Sequence, residues 1–427
     1  MKTFLGTDLG STTTKSILLD EAEQVLGRGI TNSRSNYELA AEIARDEAYI
    51  GAKFELLGRR LGAALGEETR ERLSKTLLHQ FRRAQHLTQL EALKEKLLAI
   101  AEGRESLRSA LAKVLDEMER EAKRPKLEKD KSEFFHDRAA SAFSRAAEHA
   151  EGQGASFDDL MGCFDKAILV VENSKMDLTF ESNIDPAAAV ARRGESDHIK
   201  AVLDESVRAV KADPLEVTRS IGTGYGRRRL PFPKEDIRSE ILCHGLGAHV
   251  QFPKTATVLD IGGQDTKAIQ VDDRGIVTSF QMNDRCAAGC GRYLGYIADE
   301  MNLGVHELGP LAMESTRFVK INSTCTVFAG AELRDRLSMG QRREDILAGL
   351  HRAIILRAMA LLARSGGIYD EFTFTGGVAN NVAAVKALRQ LIEENYGSRT
   401  LNISASSIYT GAHGAALFAK RAWEAAA

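Results

Sequence analysis

Two eight-residue segments of the sequence repeat the same order of acidic, glycine, hydroxyl and lysine residues. The first octet runs from Asp8 to Lys15 and reads DLGSTTTK, and the second octet runs from Asp260 to Lys267 and reads DIGGQDTK. Glycines let backbone N–H groups converge on an anion, while hydroxyls and a lysine add donors and positive charge. The chemistry of both octets therefore points to phosphate.

The aspartate that opens each octet is suited to a metal ion rather than to phosphate itself. A carboxylate at the end of a strand suits Mg²⁺, which it usually holds through water while the ion bridges phosphate oxygens. We therefore predict that Asp8 and Asp260 organise Mg²⁺–ATP, and that Asp260 or Asp265 is the base that positions the attacking water. The other residues expected to bind the nucleotide are Gly10, Ser11, Thr12, Thr13, Lys15, Gly262, Gly263 and Gln264.

The sequence around each octet predicts a strand, a tight glycine turn and a second strand. Short apolar runs precede the octets at 4–5 and 258–259, and alternating residues follow them. No GxxxxGK[ST] segment occurs, which excludes a P-loop. The simpler alternative is a pair of ordinary glycine hairpins. Repetition of the whole octet favours instead two matching halves that clamp ATP between them.

A third glycine segment is expected to hold the adenosine side of the nucleotide. The strand Phe372–Phe374 leads into Gly376 and Gly377, and a helix is predicted over Ala383–Leu391. A strand, two glycines and a helix N-terminus form a suitable seat for a nucleotide. Taken alone, this pattern is a weak signal.

The amino-acid composition argues against several classes of protein. The chain has 427 residues, a formal net charge of −2 and five cysteines. Balanced charge gives no electrostatic case for nucleic acid or for a membrane surface, and no apolar stretch has membrane-spanning length. The N-terminus begins directly in a predicted strand without a signal peptide. We therefore expect a cytoplasmic protein whose cysteines are thiols or ligands rather than disulfides.

Periodicity predicts an α/β protein interrupted by helices. Residues 1–31 and 165–283 are assigned to a first, discontinuous ATPase lobe, 32–164 to a helical insertion, and 284–427 to a second lobe. Strands are predicted at 167–171 and 178–180, within the first lobe. In the insertion, leucines recur at helical spacing from Leu73 to Leu97. Two interpretations of these apolar stripes remain: a docking module for other subunits, or helices that pack on one another.

Two cysteines stand just before predicted helices. Cys286 precedes a helix over 291–301, and Cys325 precedes a helix over 329–337. A helix N-terminus favours the thiolate that binds iron or zinc, although an isolated cysteine is more often a small buried apolar residue. One chain with two such ligands cannot complete a four-cysteine site. Cys290 is a possible third ligand, and we favour packing beside the site instead.

These motifs together resemble one family. The set comprises both octets, TGYGR at 223–227, NDRCAAG at 283–289, STCTVFA at 323–329 and TGGVA at 375–379. It is similar to the ATPase family shared by benzoyl-CoA reductases and the activators of 2-hydroxyacyl-CoA dehydratases, and it covers nearly all of 1–31 and 165–427. The resemblance implies a two-lobed ATPase fold like that of actin, hexokinase and heat-shock chaperones, with an inserted all-helical module. It also implies that Cys286 and Cys325 hold one [4Fe–4S] cluster together with two cysteines of a partner.

The length of the insertion resembles the larger ATPase subunit of ATP-dependent benzoyl-CoA reductase. The resemblance then implies an anaerobic protein in which ATP hydrolysis drives a low-potential electron toward aromatic ring reduction. Its expected partners are a second related ATPase subunit, substrate-binding reductase subunits and a reduced ferredoxin-type donor. The alternatives are an activator of a 2-hydroxyacyl-CoA dehydratase, a small-molecule (sugar) kinase of the same fold, and a non-catalytic ATP-dependent scaffold.

Overall fold

The structure, a computed structural model, divides the chain into two compact units. It describes residues 1–33, 36–123, 134–150, 155–283, 290–317, 319–321 and 326–426. The helical unit is Tyr49–Leu215 with Met1, and the sheet unit is Lys2–Ala48 with Glu216–Ala427. The boundary between residues 48 and 49 falls inside the first helix, α1 (Tyr37–Leu65).

Two β-sheets of the same design carry the two octets. The first sheet contains β1 (Lys2–Leu9), β2 (Thr13–Leu19), β3 (Val25–Asn32) and β4 (Glu216–Thr223), in the order β3-β2-β1-β4. The second contains β5 (Thr257–Ile261), β6 (Thr266–Val271), β7 (Val277–Asn283), β8 (Phe372–Thr375) and β9 (Leu401–Asn402), in the order β7-β6-β5-β8-β9. In both sheets the octet strand pairs antiparallel with the next strand and parallel with a strand from much later in the chain. The repeated octet thus belongs to a repeated sheet.

Helices cover both sheets and bury their apolar faces. In the sheet unit they are α8 (Glu240–Gln251), α9 (Gly291–Met301), α10 (Val305–Met313), α11 (Thr326–Ser338), α12 (Arg343–Ser365), α13 (Val382–Tyr396) and α14 (Thr410–Glu424). The main core joins β5 and β8 to α9, α10, α12 and α13. Helix α12 is long and apolar enough to cross a membrane, but 61% of its most apolar stretch is buried, as expected for a core helix.

The helical unit is built from helices that pack on one another. After α1 come α2 (Glu67–Ile100), α3 (Glu105–Ala122), α4 (Phe135–Ala150), α5 (Phe157–Glu172), α6 (Phe180–Ala191) and α7 (Asp197–Ala212). The leucine stripe of α2 is buried from Leu73 to Leu97, as its spacing predicts. A single apolar cluster joins α2 to α3, α4 and α5. These contacts favour the interpretation in which the stripes pack within the unit.

The predicted strand at 167–171 is wrong, because these residues lie in α5. The helix begins at a capping box in which the Ser156 hydroxyl accepts a hydrogen bond from the Asp159 N–H at 3.1 Å. Its buried residues follow helical spacing through Ala167 and Val171, whereas Leu169 and Val170 are exposed. A run of five apolar residues alone does not distinguish a strand from a helix. The predicted domain boundary at 164/165 consequently falls inside α5.

One other strand assignment and one lobe assignment also differ from the structure. Residues 178–180 precede and begin α6 rather than forming a strand. The second octet, predicted to lie in the first lobe, lies in the second sheet, because β5 pairs with β8. Local patterns identify the hairpin but not the distant strand that pairs with it.

In the helical unit, a buried lysine caps the C-terminal end of α7. Lys53 of α1 is 1% exposed, and its Nζ donates hydrogen bonds to the carbonyl oxygens of Val210 at 2.6 Å and Asp213 at 2.7 Å. Carbonyls at the C-terminal end of a helix have no partner within the helix, so the lysine satisfies two of them and complements the helix dipole.

Replacing Lys53 by Met should loosen the end of α7. Methionine keeps the unbranched chain but removes both donors, and unsatisfied buried carbonyls cost about 2 kcal/mol. Hydrogen exchange should therefore show about 30-fold less protection of the α7 amides. Lys75→Met, which removes an exposed lysine of α2, is the control. Unchanged protection in Lys53→Met would show that the two hydrogen bonds do not hold this helix end.

Candidate nucleotide site

The first octet forms the end of β1, a turn and the start of β2. Asp8 and Lys15 stand opposite each other in the antiparallel register, and Nζ of Lys15 lies 3.3 Å from Oδ2 of Asp8. Asp8 is 4% exposed, so the lysine balances a buried charge. Between them, Gly10, Ser11 and Thr12 form a turn whose residues are partly or fully exposed. A ligand can therefore reach the turn, as the phosphate prediction requires.

The second octet repeats this geometry with more contacts. Asp260 stands opposite Lys267, and Nζ of Lys267 lies 3.2 Å from Oδ2 of Asp260 and 2.6 Å from Oδ1 of Asp265. The Thr375 hydroxyl, at the end of β8, donates to Oδ1 of Asp260 at 2.9 Å. Asp260 and Lys267 are both almost fully buried. The second aspartate is therefore held by more partners than the first.

The turns of the two octets lie against each other. A Cβ placed on Gly263 would lie 2.1 Å from Oγ1 of Thr12, so a larger residue there would have to displace the Thr12 side chain. Gln264 lies beside Gly263 in the same partly exposed turn. The structure thus brings the predicted phosphate-binding residues of both octets to one place.

The third glycine segment, Gly376–Gly377, lies beside the second octet. Gly376 has a φ of +85°, and a Cβ there would lie 2.3 Å from the Ile261 carbonyl oxygen and 3.0 Å from Oδ1 of Asp260. Gly377 begins a short 3₁₀ turn, and Asn381 then caps α13 by accepting from two backbone N–H groups. The segment predicted for the adenosine side therefore lies next to the second aspartate.

Helix α8 adds two buried residues that the sequence analysis missed. Nδ1 of His244 lies 3.3 Å from Oδ1 of Asp260, at an angle outside good hydrogen-bond geometry, and Glu240 lies one helical turn earlier on the same face. Their i, i+4 spacing in an otherwise apolar helix was the available signal. Without the Asp260 contact, that signal is too common to indicate a site.

Opposite charges set the protonation states of three buried side chains, His244, Asp260 and Lys267. Burial alone would lower the pKa of His244, but the carboxylate of Asp260 outweighs it and raises the pKa. Burial alone would raise the pKa of Asp260, yet His244 and Lys267 hold it far below its usual range. The pKa of Lys267 is raised, because its two carboxylate partners outweigh burial. Asp260 is consequently a firmly ionised carboxylate and a weak proton acceptor.

The residues predicted for the iron–sulfur cluster lie mostly outside the described part of the chain. This applies to Cys286 and to Cys325, and so their assignment remains a prediction. Cys290 is buried and is the residue that precedes α9, whose start was predicted at Gly291. Among the described residues, no group of three or more His, Cys, Asp or Glu side chains is arranged to hold a metal ion.

The start of α9 is bonded to the second octet turn. The N–H of Gly291 donates to the Gly262 carbonyl oxygen and that of Arg292 to the Gly263 carbonyl oxygen, both at 2.8 Å. The segment that follows Cys286 is thus attached to the predicted phosphate-binding turn.

Comparisons with known proteins identify the family of the chain. The model of the BadF/BadG/BcrA/BcrD ATPase family matches residues 5–419. The (R)-2-hydroxyglutaryl-CoA dehydratase activating ATPase of Acidaminococcus fermentans is 40% identical over 233 residues, which are 55% of this chain and 85% of the relative. One subunit of the benzoyl-CoA reductase of Thauera aromatica is 32% identical over 175 residues, 41% of this chain and 62% of the relative.

A solved structure shares the fold. The crystal structure of component A of the Acidaminococcus fermentans (R)-2-hydroxyglutaryl-CoA dehydratase aligns with a TM-score of 0.54 at 24% identity, over 100% of both chains. The predicted α/β fold class is confirmed, and the fold is that of this dehydratase component.

A buried histidine behind the third glycine segment makes stability depend on pH. His351 of α12 is 1% exposed, its Nδ1 donates to the Leu347 carbonyl oxygen at 2.7 Å, and its Nε2 lies 3.0 Å from the amide nitrogen of Asn381. Burial lowers the pKa of His351 to about 4. In the unfolded chain the ring has a pKa near 6.5, so between about pH 6.5 and 4 it binds a proton that the folded protein does not bind. The contribution of neutral His351 to the free energy of unfolding is therefore complete above about pH 6.5 and is lost as the pH falls toward 4.

We expect His351→Gln to flatten this pH dependence. In the wild type, the histidine contributes a slope of about 1.4 kcal/mol per pH unit inside that window. Urea unfolding between pH 7 and 5, followed by fluorescence of the single tryptophan, Trp423 in α14 of the same unit, measures it. His86 and His413, whose pKa burial also lowers to about 4, remain as a common background. Equal slopes in variant and wild type would contradict a neutral buried His351.

Proposed function

Because the chain belongs to the BadF/BadG/BcrA/BcrD ATPase family, we propose that it hydrolyses ATP to activate electrons for a partner enzyme of the 2-hydroxyacyl-CoA dehydratase type. The observation that carries the proposal is the meeting of the two octet turns, each with a buried aspartate–lysine pair at its base. Two matched turns that face each other suit the phosphates of one nucleotide.

The donor set fits Mg²⁺ as well as ATP. Asp8 and Asp260 are buried carboxylates beside the turns, and hard cations take oxygen ligands, often through water. Asp8 and Asp260 would hold the ion, and the ion would supply positive charge that neutralises the phosphates. Lys267 keeps the Asp260 carboxylate ionised and Lys15 is paired with Asp8. The backbone N–H groups of the turns receive the phosphates, and the Gly376–Gly377 segment receives the adenosine side.

The electron-transfer half of the proposal rests on the two cysteine motifs. A [4Fe–4S] cluster needs four ligands, usually thiolates, and Cys286 and Cys325 supply two in the positions that the motifs mark. The other pair would come from a second related ATPase chain at a twofold or pseudo-twofold interface. When bound, the cluster supplies one-electron transfer at low potential, and a reducing cytoplasm is the compartment that suits it.

The choice of partner follows the relatives. The activating ATPase is 40% identical and 85% of its length is matched, against 32% and 62% for the benzoyl-CoA reductase relative. We therefore place the dehydratase-type partner ahead of the benzoyl-CoA-type reductase that the length of the insertion suggested. The reductase stays as the second candidate, because the Thauera aromatica relative belongs to such an enzyme. A sugar kinase of the same fold would have no use for the cysteine motifs.

The test of partner choice is an anaerobic electron-transfer assay. The chemically reduced protein is mixed with MgATP and with either a dehydratase or a benzoyl-CoA-type reductase lacking its own activator. ATP-dependent activity of the dehydratase alone supports the first candidate, and activity of the reductase alone supports the second. ATP hydrolysis without electron transfer to either enzyme would contradict both.

Asp8→Asn and Asp260→Asn should each abolish ATP turnover. The change removes a carboxylate that organises Mg²⁺, and losses of about 100-fold or more are typical when a charge-stabilising group is removed. Iron content should be unchanged, because the predicted cluster ligands lie elsewhere. Asp273→Asn, an exposed acid in the turn after β6, is the control. Normal turnover in Asp8→Asn would refute the proposed clamp.

Single Cys→Ser substitutions test the cluster assignment. Iron content and electron paramagnetic resonance should show a lost or severely altered cluster in Cys286→Ser and Cys325→Ser. Cys290→Ser should keep it, since this buried residue at the start of α9 is assigned to packing. A site emptied by Cys290→Ser but filled in Cys325→Ser would make the ligand assignment wrong.

A further inference from the structure

The imidazole ring of His244 lies between the aspartates of the two octets. It is 6% exposed, and its Nδ1 lies 3.3 Å from Oδ1 of Asp260. On its other side is Gly411, the second residue of α14. A Cβ on Gly411 would lie 2.8 Å from Nε2 of His244 and 3.1 Å from Oδ2 of Asp8. The ring therefore presents one nitrogen to the second octet and the other toward the carboxylate of the first.

The helix that carries this ring packs backbone to backbone against α14. A Cβ on Gly414 would lie 1.9 Å from the carbonyl oxygen of Cys243, and a Cβ on Gly247 would lie 2.2 Å from that of Thr410. Glycine allows this close approach because it has no side chain. Cys243 directly precedes His244, so the backbone of the histidine has little room to shift.

The nitrogen that faces Asp260 has no well-aligned hydrogen bond within the part of the chain that the structure describes. Oδ1 of Asp260 accepts one hydrogen bond from the Thr375 hydroxyl at 2.9 Å, and a carboxylate oxygen has room for a second. A buried polar atom without a bond is costly, and such atoms mark sites that a ligand or ion completes. A small rotation of the His244 ring would complete the bond to Asp260.

We propose that His244 is a positioning residue that holds Asp8 and Asp260 at the spacing at which both reach one Mg²⁺ ion. The inference rests on the proposed binding and hydrolysis of MgATP at the octet turns. Lys15 and Lys267 bind the aspartates of their own octets, and each fixes a carboxylate to its own hairpin. The histidine ring, placed between the two carboxylates, sets the distance from one hairpin to the other. Loss of a residue that orients metal ligands typically costs about 10- to 100-fold in metal affinity or activity.

Substitutions at His244 separate the contributions of its two nitrogen atoms. Asparagine places an amide nitrogen as many bonds from Cα as Nδ1, so it still reaches Asp260. Glutamine places its amide nitrogen as many bonds from Cα as Nε2, so it still faces Asp8. Alanine removes both. The controls are the same three substitutions at His249, five residues later in α8, whose ring packs on Gly275 instead.

Three quantities are measured: kcat for ATP hydrolysis, the Mg²⁺ concentration that gives half-maximal hydrolysis, and the Kd for ATP in EDTA. In His244→Ala, we expect the required Mg²⁺ concentration to rise and kcat to fall, each about tenfold or more. The Kd for metal-free ATP should stay within about threefold, because the octet turns keep their backbone N–H groups. The His249 variants should match the wild type.

The conservative variants distinguish positioning from the filling of space. His244→Asn and His244→Gln should each recover part of the loss seen in His244→Ala, yet need at least about threefold more Mg²⁺ than the wild type. An unchanged Mg²⁺ requirement in His244→Ala would overturn the proposal. An equal loss of affinity for metal-free ATP would overturn it too, because that result is expected of a merely structural residue.

Gly411→Ala tests the side of Asp8 while the histidine stays in place. The added methyl group would stand between Nε2 of His244 and Oδ2 of Asp8. We expect the Mg²⁺ requirement to rise about tenfold, again with little change in the Kd for metal-free ATP. The control is Gly162→Ala in α5, where an added Cβ meets no atom within 4 Å. A wild-type Mg²⁺ requirement in Gly411→Ala would contradict positioning of Asp8 from this side.

Failure of this inference differs from failure of the proposed function. Absence of ATP hydrolysis in the wild type would refute the proposed function. Wild-type hydrolysis with an unaffected His244→Ala would refute only the role of His244. If His244→Ala does not fold, His244→Asn and His244→Gln decide, and a wild-type Mg²⁺ requirement in both would overturn the assignment.

Discussion

A buried aspartate–lysine pair at the end of the first strand of each sheet is the interaction on which the site depends. Leaving one buried charge without the other would cost several kcal/mol, so each strand and its neighbour must keep the register that places the two residues opposite each other. That register leaves six residues between the two charges; the first and last of the six still pair with each other, and the residues inside them form the turn. The glycine turns are thus a consequence of where the charge pairs lie.

The two pairs are not equivalent. Among the described residues, Asp8 is paired with Lys15 alone, whereas Asp260 is also held by Thr375 and His244. Additional hydrogen bonds in a buried network restrict the positions of its members. The Asp260 carboxylate is therefore held in position by more partners than the Asp8 carboxylate.

Features that repeat at short range were predictable from the sequence, and features set by distant contacts were not. The hairpins of the octets and the helix after Cys290 could be predicted from local spacing. The fold class could be predicted from the combination of motifs. The strand assigned to 167–171 failed because five apolar residues suit either state, and only the capping box at Ser156 decides for helix. The sheet of the second octet is fixed by β8, more than a hundred residues away. His244 is recognisable as a site residue only from its contact with Asp260 in that sheet.

The same turn that is proposed to receive phosphate also holds the start of α9. The Gly262 and Gly263 carbonyl oxygens accept hydrogen bonds from Gly291 and Arg292, next to the buried Cys290. A carbonyl group that accepts such a hydrogen bond is fixed in direction. Because the peptide is planar, the N–H of the next residue is then fixed in direction as well. The N–H groups of Gly263 and Gln264 are therefore oriented by bonds to the helix that follows Cys286. Any rotation of these peptides toward a phosphate must either move the start of α9 or break its hydrogen bonds. The turn of the second octet and the start of α9 are consequently joined through backbone hydrogen bonds rather than through side chains.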